Sequence, residues 1–169
     1  MTEIRQELLK LIALNDAEQW VPEDIAFQQL LDRHGDRLVQ GLIECLGDDD
    51  AEVRRLALAL LSEGRPLSDV AVPAMIEKLT DSDRLVRTSA VFHLGFFETL
   101  AHAAVPLLES WLTDTNEYVR TLAVTTILRA DPLRAELLPL VRAAKASENV
   151  CVSGLAQDYL DERSAGTEK

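Results

Sequence analysis

The chain has 169 residues, 47% of them hydrophobic, which excludes a disordered polymer and suffices for one domain with a sizeable core. Its 17 Lys+Arg against 29 Asp+Glu leave a formal charge of −12 at pH 7, a sign that repels nucleic-acid phosphates and anionic lipid and favours a protein partner, such as one with a basic patch. Cys45 and Cys151 lie far apart with no CxxC or Cys/His spacing, so they exclude a disulfide framework and read as two small buried hydrophobes.

The N-terminal stretch "MTEIRQELLKLIALNDAEQW" has scattered charges and no basic region ahead of an apolar one, so no secretory pattern is read there. No apolar run reaches the ~18–20 residues of a bilayer span, and a cytoplasmic monomer is expected. "EIRQELLKLIAL" has helical apolar spacing. "PEDIAFQQLLDRHG" opens on Pro22 and two acids and stops at Gly35, so it predicts a second helix, with His34 at its negative end. Residues 1–35 form an N-terminal helical cap in this reading, with Trp20 and Phe27 as the side chains that seal the first repeat behind it.

From residue 36 the sequence repeats itself. "TDSDRLVRTSAV" at 80–91 returns as "TDTNEYVRTLAV" at 113–124, an offset of 33 residues. Val53, Val86 and Val119 share that offset, as do Arg54, Arg87 and Arg120; Ala57, Ala90 and Ala123; Pro73, Pro106 and Pro139; and Asp48, Asp81 and Asp114. A fixed period of this size is the signature of a solenoid. Each unit reads as two helices. The proline falls in the first turn of the first helix, where its missing N–H costs nothing. Asp50, Asp83 and Asn116 stand three residues before the column valines and predict N-caps of the second helices. A fourth copy, "SENVCVSGLAQDYL", aligns by way of a two-residue deletion. That places Val150 in the valine column, Ser147 at the N-cap, Gly154 in the alanine column, and Lys145 and Cys151 in the two ladder columns.

The ladder columns, Asp48, Asp81 and Asp114 with Arg54, Arg87 and Arg120, predict charge-assisted hydrogen bonds that lock one repeat to the next. The layout "VP-x-L … L-x-D-x-[DN]-x-x-VR-x-x-A" resembles HEAT repeats, particularly the short bacterial kind also found in bilin-lyase-like proteins. The resemblance covers about residues 36–160 and implies an all-α fold: a right-handed α-α solenoid of about four HEAT-like helix pairs behind the cap. The expected units are 36–66, 67–99, 100–131 and 132–161, with a flexible tail at 162–169. It also implies a choice between a binding scaffold and a bilin-lyase-type chromophore chaperone.

The sequence holds no P-loop, GxGxxG, GxSxG or HExxH, so no catalytic residue is assigned and a non-enzymatic protein is expected. His34, His93 and His102 form no i,i+4 ligand pair, and the His-Glu dipeptides of HEAT-like di-iron hydroxylases are missing. No metal or cofactor is therefore expected. His93 falls in the column of Leu60 and Thr126, which predicts a packed or half-buried imidazole. "DDDAE" at 48–52 lacks the glycine and spacing of a calcium loop. Partner binding is expected on the concave face lined by the second helices. Its candidate residues are Arg55, Arg84, Thr88, Phe92, Tyr118, Thr121 and Thr125, with Ala59 beside them.

Overall fold

A computed structural model describes residues 3–17, 19, 21–63 and 68–166. Among them are helices and turns and no strand. The chain divides into two compact units, Met1–Phe97 and Glu98–Lys169.

The first unit opens with α1 (Glu3–Asp16) and α2 (Glu23–His34), the two expected cap helices. α2 ends at Gly35, whose φ of 56° is easy only without a side chain. Phe27 is buried as expected, while Trp20 lies outside the described residues. α3 (Arg37–Cys45) and α4 (Ala51–Glu63) form the first helix pair. α5 (Ser68–Glu77) and α6 (Arg84–Leu94) form the second. α4 is the hub, packed against α1, α2, α3 and α6. The column residues explain why α4 and α6 can stack closely: Val53, Ala57, Val86 and Ala90 are all fully buried, and alanine lets the backbones approach. Leu42, Leu58, Leu61, Met75 and Leu94 fill the core, each worth roughly 1.5–3 kcal/mol of burial. Gly41 is a site of close approach, because a β-carbon there would collide with the Ile4 side chain of α1.

The second unit contains α7 (Val105–Glu109), α8 (Glu117–Ala130), α9 (Leu138–Ala144) and α10 (Val150–Gly166). Val124, Leu128, Val141, Ala144, Val152, Ala156 and Tyr159 make its core cluster. Pro106 and Pro139 sit in the first turns of α7 and α9 as expected. Pro73 does not, because α5 begins at Ser68 and places it inside the helix.

Three further expectations fail. First, the fourth copy carries no deletion. Val152, 33 residues after Val119, is the buried valine, whereas Val150 is 80% exposed. Asn149 is the cap, accepting from the Cys151 N–H at 3.0 Å, and Ser147 takes the column of Asp114 by accepting from the Asn149 N–H. Ala156, not Gly154, fills the alanine column, and Ser153 the arginine column. Second, Cys151 is exposed; only Cys45 is buried. Third, α10 runs through Gly166, so the tail expected to fray from 162 is helical that far.

The helical run Arg84–Thr113 has the length of a membrane span and contains an 18-residue window with a mean hydropathy of 1.4. The helical path breaks at Glu98, with φ 49° and ψ −129°, and Val86, Ala90, Val91 and Leu94 on its first part are core residues.

Candidate functional site

The ladder is the framework that holds the second helices in place. Arg54 donates from Nε and Nη2 to the two carboxylate oxygens of Asp81 in the next repeat, at 3.0 and 2.8 Å. Its Nη1 donates to the carbonyls of Asp48 and Asp49 in its own turn. Both side chains are nearly buried. Burial pushes the Asp81 carboxyl up, but the Arg54 hydrogen bonds, the Asp83 N–H and the arginine charge outweigh it and hold it below the usual carboxylate range. Arg87 and Arg120 repeat the carbonyl contacts of Arg54, to Asp81 and Ser82 and to Asp114 and Thr115.

Asp48 is claimed from the cap: Arg5 of α1 engages both of its oxygens. That hydrogen bond, with help from the Asp50 N–H, keeps the Asp48 carboxyl low despite desolvation. The cap is thus tied to the first repeat by the device that ties repeat to repeat. The expected N-caps Asp50, Asp83 and Asn116 accept from the N–H groups of Glu52, Leu85 and Tyr118, which accounts for most of the acidic run at 48–52.

The candidate binding residues separate sharply. In the first unit, Phe92 is 38% exposed and stacks edge-on with His93 and with Phe96, which is 43% exposed. Arg84 is exposed, Thr88 half-buried with its hydroxyl donated to the Arg84 carbonyl, and Arg55 is held by both oxygens of Glu52 at 2.7 and 2.8 Å. Ala59 is buried. In the second unit the expectation fails. Thr121 and Thr125 are buried, at 3% and 0% exposure, with their hydroxyls donated to the carbonyls of Glu117 and Thr121 in their own helix. A threonine that satisfies itself this way has no need of water. Tyr118 is half-buried against the second core cluster, and that burial pushes its phenol up.

His93 is half-buried, as its column predicts. Ser62 Oγ gives its one proton to the Ala59 carbonyl at 2.6 Å and lies 3.0 Å from His93 Nδ1. Nδ1 must then be the donor, which leaves Nε2 as an acceptor on a neutral ring. Burial, and next to it the charge of Arg55, lowers the imidazole to about 4.

A cavity of about 280 Å³ opens against this face. Ile12 and Asp16 of α1, Glu23 of α2, Glu52 and Arg55 of α4, and Ser89 and His93 of α6 line it. Phe96 and the cap residues are absent from the set the sequence pattern picked out. Phe96 was findable, since Thr88, Phe92 and Phe96 stand at i, i+4 and i+8. The cap residues carry no repeat signal. A second cavity, about 440 Å³, is lined by Glu3, His34, Arg37 and Glu44; His34 is buried there and its Nε2 has no hydrogen-bond partner. Among the described residues no group of three or more His, Cys, Asp or Glu is placed to hold a metal ion.

Comparison with known proteins agrees with this architecture. A family model described as HEAT repeats matches residues 36–129. The crystal structure of an engineered protein from the Northeast Structural Genomics Consortium superposes with a TM-score of 0.54 at 21% identity, over 96% of this chain and 80% of that one. At that identity the likeness shows the fold alone. No curated protein matches the sequence. With more than half of its length inside the family model, the chain belongs to the HEAT-repeat family, whose repeats generally mediate protein–protein interaction.

Proposed function

We propose that the protein is a non-enzymatic binding module that holds a segment of a partner protein on the second-helix face of its first unit. The observation that carries this reading is the exposed, edge-stacked pair Phe92 and Phe96 beside a cavity, on a face where Arg55, Arg84 and Thr88 also reach the surface. Aromatic and arginine side chains are what interface centres favour. Thr121 and Thr125 are buried in the second unit, and half-buried Tyr118 packs against its core. The charge of −12 suits a basic partner, steered by long-range attraction, as an adaptor or an immunity-type inhibitor would meet it.

The test is affinity capture from host lysate at low and moderate salt, followed by measured affinity for the purified partner. Phe92→Ala with Phe96→Ala is expected to weaken that affinity by at least about tenfold, some 1.4 kcal/mol, while the variant stays folded. Unchanged affinity would remove this face from the reading. A partner lost as salt rises supports the inhibitor version, and a salt-resistant one the adaptor. Visible absorbance after co-expression with a bilin source would instead favour a chromophore chaperone.

A further inference from the structure

The cavity beside Phe92 is not made by the repeats alone. Asp16 and Glu23 come from the cap helices, Glu52 and Arg55 from the first repeat, Ser89 and His93 from the second. Charge is unequal among them. Arg55 is committed to both oxygens of Glu52, so that pair is internally balanced. Asp16 and Glu23 add two further negative charges to the wall. His93 adds none, and its Nε2 can accept a hydrogen bond. Ile12, Leu56 and Ala59 supply aliphatic wall between these polar groups. A volume of about 280 Å³ sits at the lower edge of the roughly 300–1,000 Å³ of ordinary small-molecule sites and has room for a single long side chain.

We propose that this cavity takes one arginine or lysine side chain from an otherwise apolar segment of the partner protein, and that the cap helices are half of the binding site rather than only a seal. The proposal rests on the docking reading above and names the chemistry of its occupant. A methylene stem would lie along Ile12, Leu56 and Ala59 while the cationic head reaches Asp16 and Glu23, the division such side chains favour. Phe92 and Phe96, outside the cavity, then offer an apolar platform to the flanking residues.

The test titrates acetyl-Leu-Ala-Arg-Ala-Leu-amide, and the same peptide with glutamine at its centre, into the ¹⁵N-labelled full chain at about 0.15 M salt. The arginine peptide is expected to shift the amides of Arg55, Ser89 and His93 and to bind at least about tenfold tighter than the glutamine peptide. Asp16→Asn with Glu23→Gln is expected to abolish that preference. Glu148→Gln with Asp158→Asn, exposed acids of the second unit, makes the same change in net charge and is expected to preserve it. All these side chains are at or near the surface, and a dispersed amide spectrum reports that each variant is folded. Equal weakening by both double variants overturns the cavity assignment in favour of unspecific attraction. Equal affinity of the two peptides at the same amides overturns the cation while leaving the face as a docking surface. Shifts that avoid α6 altogether overturn both.

Discussion

α6 and α8 are the second helices of consecutive repeats and begin with nearly the same residues, yet they present opposite surfaces. Thr88 and Phe92 on α6 correspond to Thr121 and Thr125 on α8, and His93 corresponds to Thr126. The α6 residues are half-buried or exposed; their α8 counterparts are buried. Within its unit α8 is packed by α7, α9, α10 and the flanking 3₁₀ turns, so most of its circumference is core. Its threonines tolerate that because their hydroxyls donate to carbonyls of the same helix. α6 instead carries Phe92 and His93, with Phe96 just beyond its end, on a face that is partly exposed. A repeat therefore fixes which residues are structural, while each copy uses its remaining positions differently.

The largest contrast is expected in the ladder. Arg54→Ala removes both arginine hydrogen bonds from the nearly buried Asp81 carboxylate, leaving it the Asp83 N–H and Lys78 at 3.9 Å, and is expected to cost about 3 kcal/mol, read as a lower urea midpoint. Arg120→Ala removes carbonyl contacts at a half-exposed position and is expected to cost only about 1–2 kcal/mol in the same assay. If the two losses are equal, the ion pair is not what distinguishes the first unit.

Next comes the contrast of surfaces. Thr125→Lys forces a charge into a fully buried site and is expected to cost at least about 3 kcal/mol, whereas Phe92→Lys, where the ring is already partly in water, is expected to change stability by less than about 1 kcal/mol. Thermal melts of the pair decide the point; similar melting temperatures would contradict the burial difference.

A smaller effect is carried by pH. His93 titrates near 4 when folded against an ordinary 6.5, chiefly because of burial and then because of Arg55. Between those values the unfolded chain binds more protons, so stability rises with pH across that window and is lost as pH falls through it. Partial exposure holds the expected contribution to about 1–2 kcal/mol. His93→Leu, which installs the residue of the first repeat's column, is expected to flatten the slope of stability between pH 4 and 6.5. An unchanged slope would assign the pH dependence to other groups. The Asp48 and Asp81 carboxylates act in a separate window, their contribution lost only as pH falls below the ordinary carboxylate range.

The smallest change lies at the boundary of the two units. Glu98 holds φ 49° and ψ −129°, a region comfortable only for glycine. Glu98→Gly is expected to raise stability by about 0.5–1 kcal/mol, measured as a modest increase in melting temperature. A decrease would mean that contacts of the side chain outweigh the strain in its backbone.

The legibility of these features in the sequence varied for specific reasons. The N-caps Asp50, Asp83 and Asn116 were plain because an Asx side chain three residues before a buried valine has one local task. The fourth copy admits a wrong alignment because Val150 and Val152 are both plausible column valines. The proline column, which continues to Pro139 without a gap, argues for Val152 from sequence, and so do Asn149 and Ala156, which fall in the cap and alanine columns at the same 33-residue offset. Asp48 was legible as a ladder residue, but its partner Arg5 was not, since the cap lies outside the 33-residue period.

Spacing along the chain was enough to specify the helix-pair repeat, its caps and its small-residue column, and composition alone gave the acidic charge. Neither could say that Phe92 and Phe96 face out while Thr121 and Thr125 face in, or that Asp16 and Glu23 reach the same cavity as His93. Those outcomes came from the three-dimensional fold. They depend on which neighbouring helices cover a given face, and that is a matter of packing between segments far apart in sequence.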